Sequence, residues 1–151
     1  MATALMSGEE VDLLISILKV ASTIGRPMKE GVADPGGVSS NELRVLMCLG
    51  GEGQMAGHEM GELIGMQPMN VSRALAALAA RGWVEQVPDT ENRRRKPHQL
   101  SAVGAAAYAE MTPQLADVAS FLFTGLNDRE RESLSKVLTK LGRRIRHLGE
   151  S

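Results

Sequence analysis

The stretch PDTENRRRKPHQLS, residues 88–101, sets Arg93, Arg94, Arg95 and Lys96 side by side in a chain of 151 residues whose formal net charge is -1. Four adjacent cations offer one chemistry, attachment to an anion through charge-assisted hydrogen bonds. A second group lies upstream. On a helix whose apolar stripe is Val71, Ala74, Leu75 and Leu78, Met69 and Arg73 fall opposite the stripe, Asn70 and Ser72 flank it, and Gln67 stands just before it. Short polar and basic side chains on an outer helix face suit base edges: Asn pairs with adenine, and Arg with guanine or a phosphate. The plainer reading of each group alone is a solvated loop and a solvated helix face.

Other chemistries find no support. Cys48 is the only cysteine, which leaves no intramolecular disulfide and no cysteine-based zinc site. His58, His98 and His147 lack metal-ligand spacing. No Ser-His-Asp arrangement, Gly-rich phosphate loop or paired-carboxylate motif emerges, so no catalytic residue, metal or cofactor is expected. Glu9 and Glu10 precede the first apolar stretch, and Asp12, Ser16 and Lys19 interrupt it. That pattern argues against a signal peptide and a membrane span, and the expected location is the cytoplasm. The near balance of 17 basic and 18 acidic residues still permits a local basic patch.

The elements that must position these side chains follow from periodicity. Val11, Leu14, Ile15 and Leu18 mark one helix face, and Leu13, Ile17, Val20 and Ile24 a second, so this helix needs two partners. Gly25 and Pro27 are expected to end it, and residues 31–38, with DPGG, read as a loop. A second helix is predicted over 40–49 and stopped by GGEG, and a third over 58–64. The fourth begins at Pro68 and runs to 80, with Gly82 closing it. Segments 83–87 and 95–100 read as a β-hairpin around a polar tip, with Pro97 placing its strand at an edge. His98, on the same strand face as Leu100, reads as a hydrogen-bonded, half-buried histidine. An Ala-rich helix follows from Ser101, kinked or restarted by Pro113. The last helix starts at Asn127 with Glu130 three residues on, and Leu134, Val137, Leu138, Leu141, Ile145 and Leu148 hold one face. Lys140, Arg143, Arg144 and His147 beside it read as a solvated basic stripe that complements the helix dipole.

The fold expected is mainly α with a small β-hairpin: a helix-turn-helix followed by a β-wing, flanked by terminal helices. A helix of this kind fits the DNA major groove. From about residue 42 to 104 the chain resembles the MarR family of winged helix-turn-helix regulators. The resemblance rests on NVSRALAALAARGWVE (70–85), DTENRRRKPHQLS (89–101) and Gly104. The family's wing reads Asp-Arg-Arg, three variable residues, Leu-x-Leu-Thr and a later Gly. Asn92 replaces the acid here, and His98 replaces the first Leu.

The resemblance implies a dimer built from the first and last helices, a recognition helix in the major groove and a wing arginine, Arg94 by position, in the minor groove. Arg93, Arg95 and Lys96 would then sit at or beside phosphates, and Asn92 would hold Arg94 less firmly than a carboxylate. Some relatives sense oxidants through a thiol, but Cys48, between Met47 and Leu49 with no basic neighbour in sequence, reads as inert and buried.

The organisation expected is a dimerisation helix and loop over 1–38, the DNA-binding lobe over 39–104 and dimerisation helices over 105–151. The partners are an operator duplex, a second copy of the chain and a small organic effector, aromatic or phenolic in character. Candidate effector contacts are Ile17, Arg44, Cys48, Tyr108 and Met111, with Arg44 facing a carboxylate and Tyr108 a phenol. The reading is a transcriptional repressor released by that ligand. Its rival is an interaction adaptor that keeps the fold without specific DNA binding.

Overall fold

A computed structural model describes the backbone of residues 2–150 and the side chains of residues 8–149; the ends of the expected terminal segments, residues 1 and 151, lie outside the described residues. In chain order the elements are α1 (Ala2–Thr23), α2 (Gly25–Met28), a π-helical turn (Lys29–Ala33), α3 (Asp34–Gly36), α4 (Ser40–Glu52), β1 (Met55–Ala56), α5 (Gly57–Ile64), α6 (Pro68–Ala80), β2 (Val84–Gln86), β3 (Pro97–Leu100), α7 (Ala102–Phe123), α8 (Asp128–His147) and a closing 3-10 turn (Leu148–Glu150). The architecture is mainly α with a small antiparallel sheet, a winged helix-turn-helix.

The chain divides into two compact units, Met1–Ala116 and Asp117–Ser151, the boundary falling within α7. In the first unit α4, α5 and α6 pack on one another, with α4 also against β3 and α6 against β2. Leu43, Val45, Leu46, Met60, Val71 and Leu78 are fully buried there, and Ala74 and Leu75 complete the α6 stripe. Local signals fix the ends of these helices. The Ser39 hydroxyl accepts from the Glu42 N–H at 3.1 Å and the Glu42 carboxylate accepts from the Ser39 N–H at 3.0 Å, a capping box. Between α5 and α6 the chain reverses at Gly65, whose φ of 66° lies in the left-handed region that a side chain would strain. Pro68 opens α6, where a missing N–H leaves nothing unbonded.

Several boundaries differ from expectation. The first helix begins well before Val11, and Gly25 and Pro27 do not end the helical run: the chain continues through α2, the π turn and α3, so residues 31–38 are mostly helical, not a loop. The reason is position. Pro27 and Pro35 each fall near the start of a short helical segment, where the ring's fixed φ fits the helix and only the proline's own N–H bond is lost. Similarly, Gly50 and Gly51 lie inside α4, which stops only at Gly53. Pro113 neither stops nor restarts α7. The Ala109 carbonyl that it leaves without a backbone donor accepts instead from the Thr112 hydroxyl at 2.6 Å.

The sheet has a third strand. β1 pairs with β3 (Met55 with His98, Ala56 with Pro97) and β2 pairs with β3 (Val84 with Leu100, Gln86 with His98), giving the order β1-β3-β2. Pro97 therefore starts the central strand, not an edge. The position tolerates it because it is the first residue of the strand, and its carbonyl still accepts from the Val87 N–H at 2.8 Å. A side-chain rung runs beside the sheet: Gln54, just before β1, donates to Gln99 at 3.1 Å and Gln99 donates to Glu85 at 2.8 Å. His98 is half-buried as expected, and its buried Nδ1 has no hydrogen-bond partner among the described residues. Burial holds its pKa below the ordinary histidine value, partly opposed by the Lys96 backbone.

In the second unit α8 starts as predicted. The Asn127 amide oxygen accepts from the Glu130 N–H at 2.9 Å and the Glu130 carboxylate accepts from the Asn127 N–H at 3.0 Å. No α8 residue is buried within the chain.

Candidate nucleic-acid interface

Burying Val71, Ala74, Leu75 and Leu78 turns the other side of α6 outward. Met69, Ser72, Arg73 and Ala76 share that outer face by their spacing. Gln67, Met69, Ser72 and Arg73 are exposed and Asn70 is half-buried beside them. Ala76, Ala77, Ala79 and Ala80 keep the rest of the face low. Past Met69 and Arg73 only small side chains line this face, and Asn70 and Arg73 supply hydrogen-bonding groups of the kind that read base edges.

The wing tip, residues 87–96, is organised by two side chains that imitate backbone turns. Asp89 Oδ1 accepts from the N–H groups of Glu91 and Asn92, each at 3.0 Å. Asn92 Oδ1 then accepts from the Arg94 N–H at 3.1 Å, and the Asn92 carbonyl accepts from the Arg95 N–H at 3.1 Å. Asn92 thus holds the backbone of Arg94 rather than its guanidinium. Arg93, Arg94 and Lys96 are exposed, and among the described residues their side chains have no partner.

Arg95 differs from its neighbours. Its Nε donates to Glu59 Oε1 at 2.6 Å and its Nη2 to Glu59 Oε2 at 2.9 Å, while Nη1 donates to Asp89 Oδ2 at 3.1 Å. The residue expected beside the phosphates is thus held by two carboxylates. The Arg95 hydrogen bonds are the main reason the Glu59 carboxyl is held down at about 2, from an ordinary 4.5, with burial opposing. The Asp89 carboxyl is also lowered, first by the Asn92 N–H and then by Arg95. Sequence alone did not single out Glu59 or Asp89. Glu59 has a local signal, standing at the third position of α5 and accepting from the Ala56 N–H at 3.1 Å, but nothing in the sequence ties it to residue 95.

The five expected effector contacts do not converge. Arg44 and Cys48 line one cavity of about 450 Å³, with Leu63 and Ile64. Arg44 also lines a neighbouring cavity of about 430 Å³ with Ile24, Met28, Lys29 and Met47. Its guanidinium meanwhile donates to the Ile64 carbonyl. Met111 is buried against Gly36 and lines a smaller cavity. Tyr108 packs over Gly50, and burial raises its phenol pKa. Ile17 is 44% exposed on α1. Sequence reasoning missed Ile24, Met28 and Lys29, because it read their segment as the end of a helix. Cys48 is buried with its sulfur 3.3 Å from the Met55 sulfur; its pKa is raised, first by burial and then by the Glu52 charge, which disfavours the reactive thiolate.

Comparisons with known proteins point in the same direction. The model of the MarR family matches residues 38–96, which span α4, β1, α5, α6, β2 and the wing tip and stop just before β3. Over residues 38–96 the chain is thus similar to the MarR family. The chain is 25% identical over 125 residues to the uncharacterized HTH-type transcriptional regulator YwoH of Bacillus subtilis (strain 168), covering 83% of this chain and 90% of that one. In fold it is similar to a MarR-family transcriptional regulator from Silicibacter pomeroyi (TM-score 0.73, 22% identity, 83% and 84% of the two chains covered). It is likewise similar to a mutant of MarR from E. coli complexed with operator DNA (TM-score 0.71, 22% identity, 88% and 95% covered). In this fold α6 is the second helix of the helix-turn-helix, and β2, β3 and their tip are the wing. No helix among the described residues is long and apolar enough to cross a membrane.

Proposed function

We propose that this chain is a cytoplasmic, homodimeric, sequence-specific DNA-binding regulator, a repressor that a small organic ligand releases from a pseudo-palindromic operator. The observation that carries the reading is the pairing of an outward α6 face bearing Asn70, Ser72 and Arg73 with a wing tip whose Arg93, Arg94 and Lys96 are exposed and unpartnered among the described residues. In this reading residues 39–104 read DNA. Gln67, Met69, Asn70, Ser72 and Arg73 meet the major groove, Arg94 enters the minor groove, and Asn92, Arg93 and Lys96 lie at the backbone. A similar fold is known with operator DNA, in the E. coli protein.

Residues 1–38 and 105–151 form the dimer seam. Supporting this, Leu13, Leu14, Leu18 and Val20 of α1 and Val137, Leu138 and Ile145 of α8 are all half or more exposed within the single chain, an apolar area too large and regular to leave in water. The effector occupies the cavities lined by Arg44, which offers a cation to a carboxylate.

The test is a binding titration against fragments of the gene's own promoter region at several salt concentrations. A specific duplex is bound, and Arg94→Ala weakens that binding about tenfold and lowers the salt slope by about one. Equal, weak binding to every duplex would overturn the operator reading. Light scattering at micromolar concentration gives twice the 16.2 kDa chain mass if the seam is real, and a monomer refutes it.

A further inference from the structure

Three features of the wing converge on Arg95. Its planar fork meets both oxygens of Glu59 and a third carboxylate oxygen, on Asp89, at 2.6, 2.9 and 3.1 Å. Such bidentate pairing fixes orientation as well as distance. The two carboxylates are also tied to backbone. Glu59 accepts from the Ala56 N–H at the start of α5, and the other oxygen of Asp89 holds the Glu91 and Asn92 N–H groups at the tip. A continuous line of hydrogen bonds therefore runs from the helix before the turn, through one guanidinium, to the wing tip. Finally, one cation between two carboxylates carries a local charge of −1, so a phosphate arriving at Arg95 is repelled, whereas Arg93 and Arg94 remain free to receive it. The Arg95 side chain is 29% exposed, whereas Arg93, Arg94 and Lys96 are all exposed.

We propose that Arg95 is a positioning residue that latches the wing to the start of α5 and does not itself contact the phosphate backbone. The latch keeps Arg94 at a fixed place relative to α6, because α5 is joined to α6 by the short turn at Gly65. The identical residue types at 93, 94 and 95 are thereby divided between two jobs. The proposal rests on the DNA-binding reading for its consequence in affinity, but the latch itself exists without DNA.

The experiment uses Glu59→Gln, Arg95→Gln and the double variant in the full chain. Gln at 59 keeps an oxygen for the Ala56 N–H, so α5 retains its start. In the absence of DNA, amide hydrogen exchange of residues 89–96 accelerates in both single variants, with exchange in α4 and α6 unchanged. Unaltered exchange in the wing would overturn the latch. In operator titrations each single variant weakens binding about fivefold, and the double variant is no more than about twofold weaker than either, since coupled partners are not additive. A simple phosphate contact makes the opposite forecast: Glu59→Gln removes a negative charge near DNA and tightens binding, while Arg95→Gln weakens it independently. That outcome refutes the latch. If the unmodified chain binds no duplex specifically, the operator reading fails and the exchange experiment alone decides the latch.

Discussion

Gly104→Ala probes the joint that carries the wing. Gly104 lies in the first turn of α7, and a Cβ built on it would stand 1.9 Å from the Trp83 carbonyl oxygen and 2.6 Å from its carbon. Ordinary contact begins at 3.4 Å, so the first turn of α7 and the strand entry must separate by about 1.5 Å. The neighbour is backbone and cannot rotate away. That same Trp83 oxygen accepts from the Ser101 N–H at 2.9 Å, and the Ser101 hydroxyl donates to the Gly82 carbonyl. Overpacking costs about 1–3 kcal/mol, and each of the two hydrogen bonds stretched by the separation about 1 kcal/mol. Against this, Ala gains about 1 kcal/mol over Gly inside a helix. The net loss is about 2–4 kcal/mol, which lowers Tm by roughly 4–16 °C for a chain of this size.

Gly51→Ala is the matched control. Gly51 also lies in a helix, at the end of α4, but nothing approaches the position of its Cβ within 4 Å, and its φ is not positive. There the helix gain acts alone, and Tm rises by a few degrees. Thermal unfolding followed by circular dichroism compares the pair. If Gly104→Ala is as stable as the starting chain, or if the two variants shift Tm in the same direction, the close approach at Trp83 does not govern this joint.

Two further outcomes follow from burial. Leu78→Ala in α6 removes a fully buried side chain and destabilises the fold by about 3–5 kcal/mol, measured by urea unfolding; a loss below about 1 kcal/mol would mean the core relaxes around the gap. His98 has a pKa depressed by burial, so the unfolded chain binds its proton more readily than the folded one and stability falls as pH drops through the ordinary histidine value of 6.5. His98→Gln should flatten that fall between about pH 7 and 5, and an unchanged pH profile of the urea midpoint would contradict it.

The helix-turn-helix was legible because its signals are local. Pro68, the four-residue stripe and Gly82 each act within a turn or two of α6, and its bounds, Pro68–Ala80, match the expectation. The helical path through residues 25–36 was misread because a proline says only that its own N–H is missing. Whether that matters depends on its place in a turn. β1 was invisible for a different reason: two residues, Met55 and Ala56, are too few for a periodic pattern, and they become a strand only by pairing with residues more than forty positions later. The same non-locality hid the division among the wing arginines. Residues 93, 94 and 95 are chemically identical in sequence, and only the partner 36 positions upstream distinguishes the last of them. The apolar faces of α1 and α8 were plain in the sequence and remain uncovered within the single chain.

The Thr112 hydroxyl on the Ala109 carbonyl has a consequence for how this chain can vary. Pro113 is tolerated inside α7 because the residue before it carries a donor of the right reach. Replace Thr112 by Val alone, and a carbonyl inside the helix loses its partner; replace Pro113 alone, and the hydroxyl becomes redundant. The two positions therefore form one inheritable unit. Proline at 113 is thus best accommodated where residue 112 carries a hydroxyl.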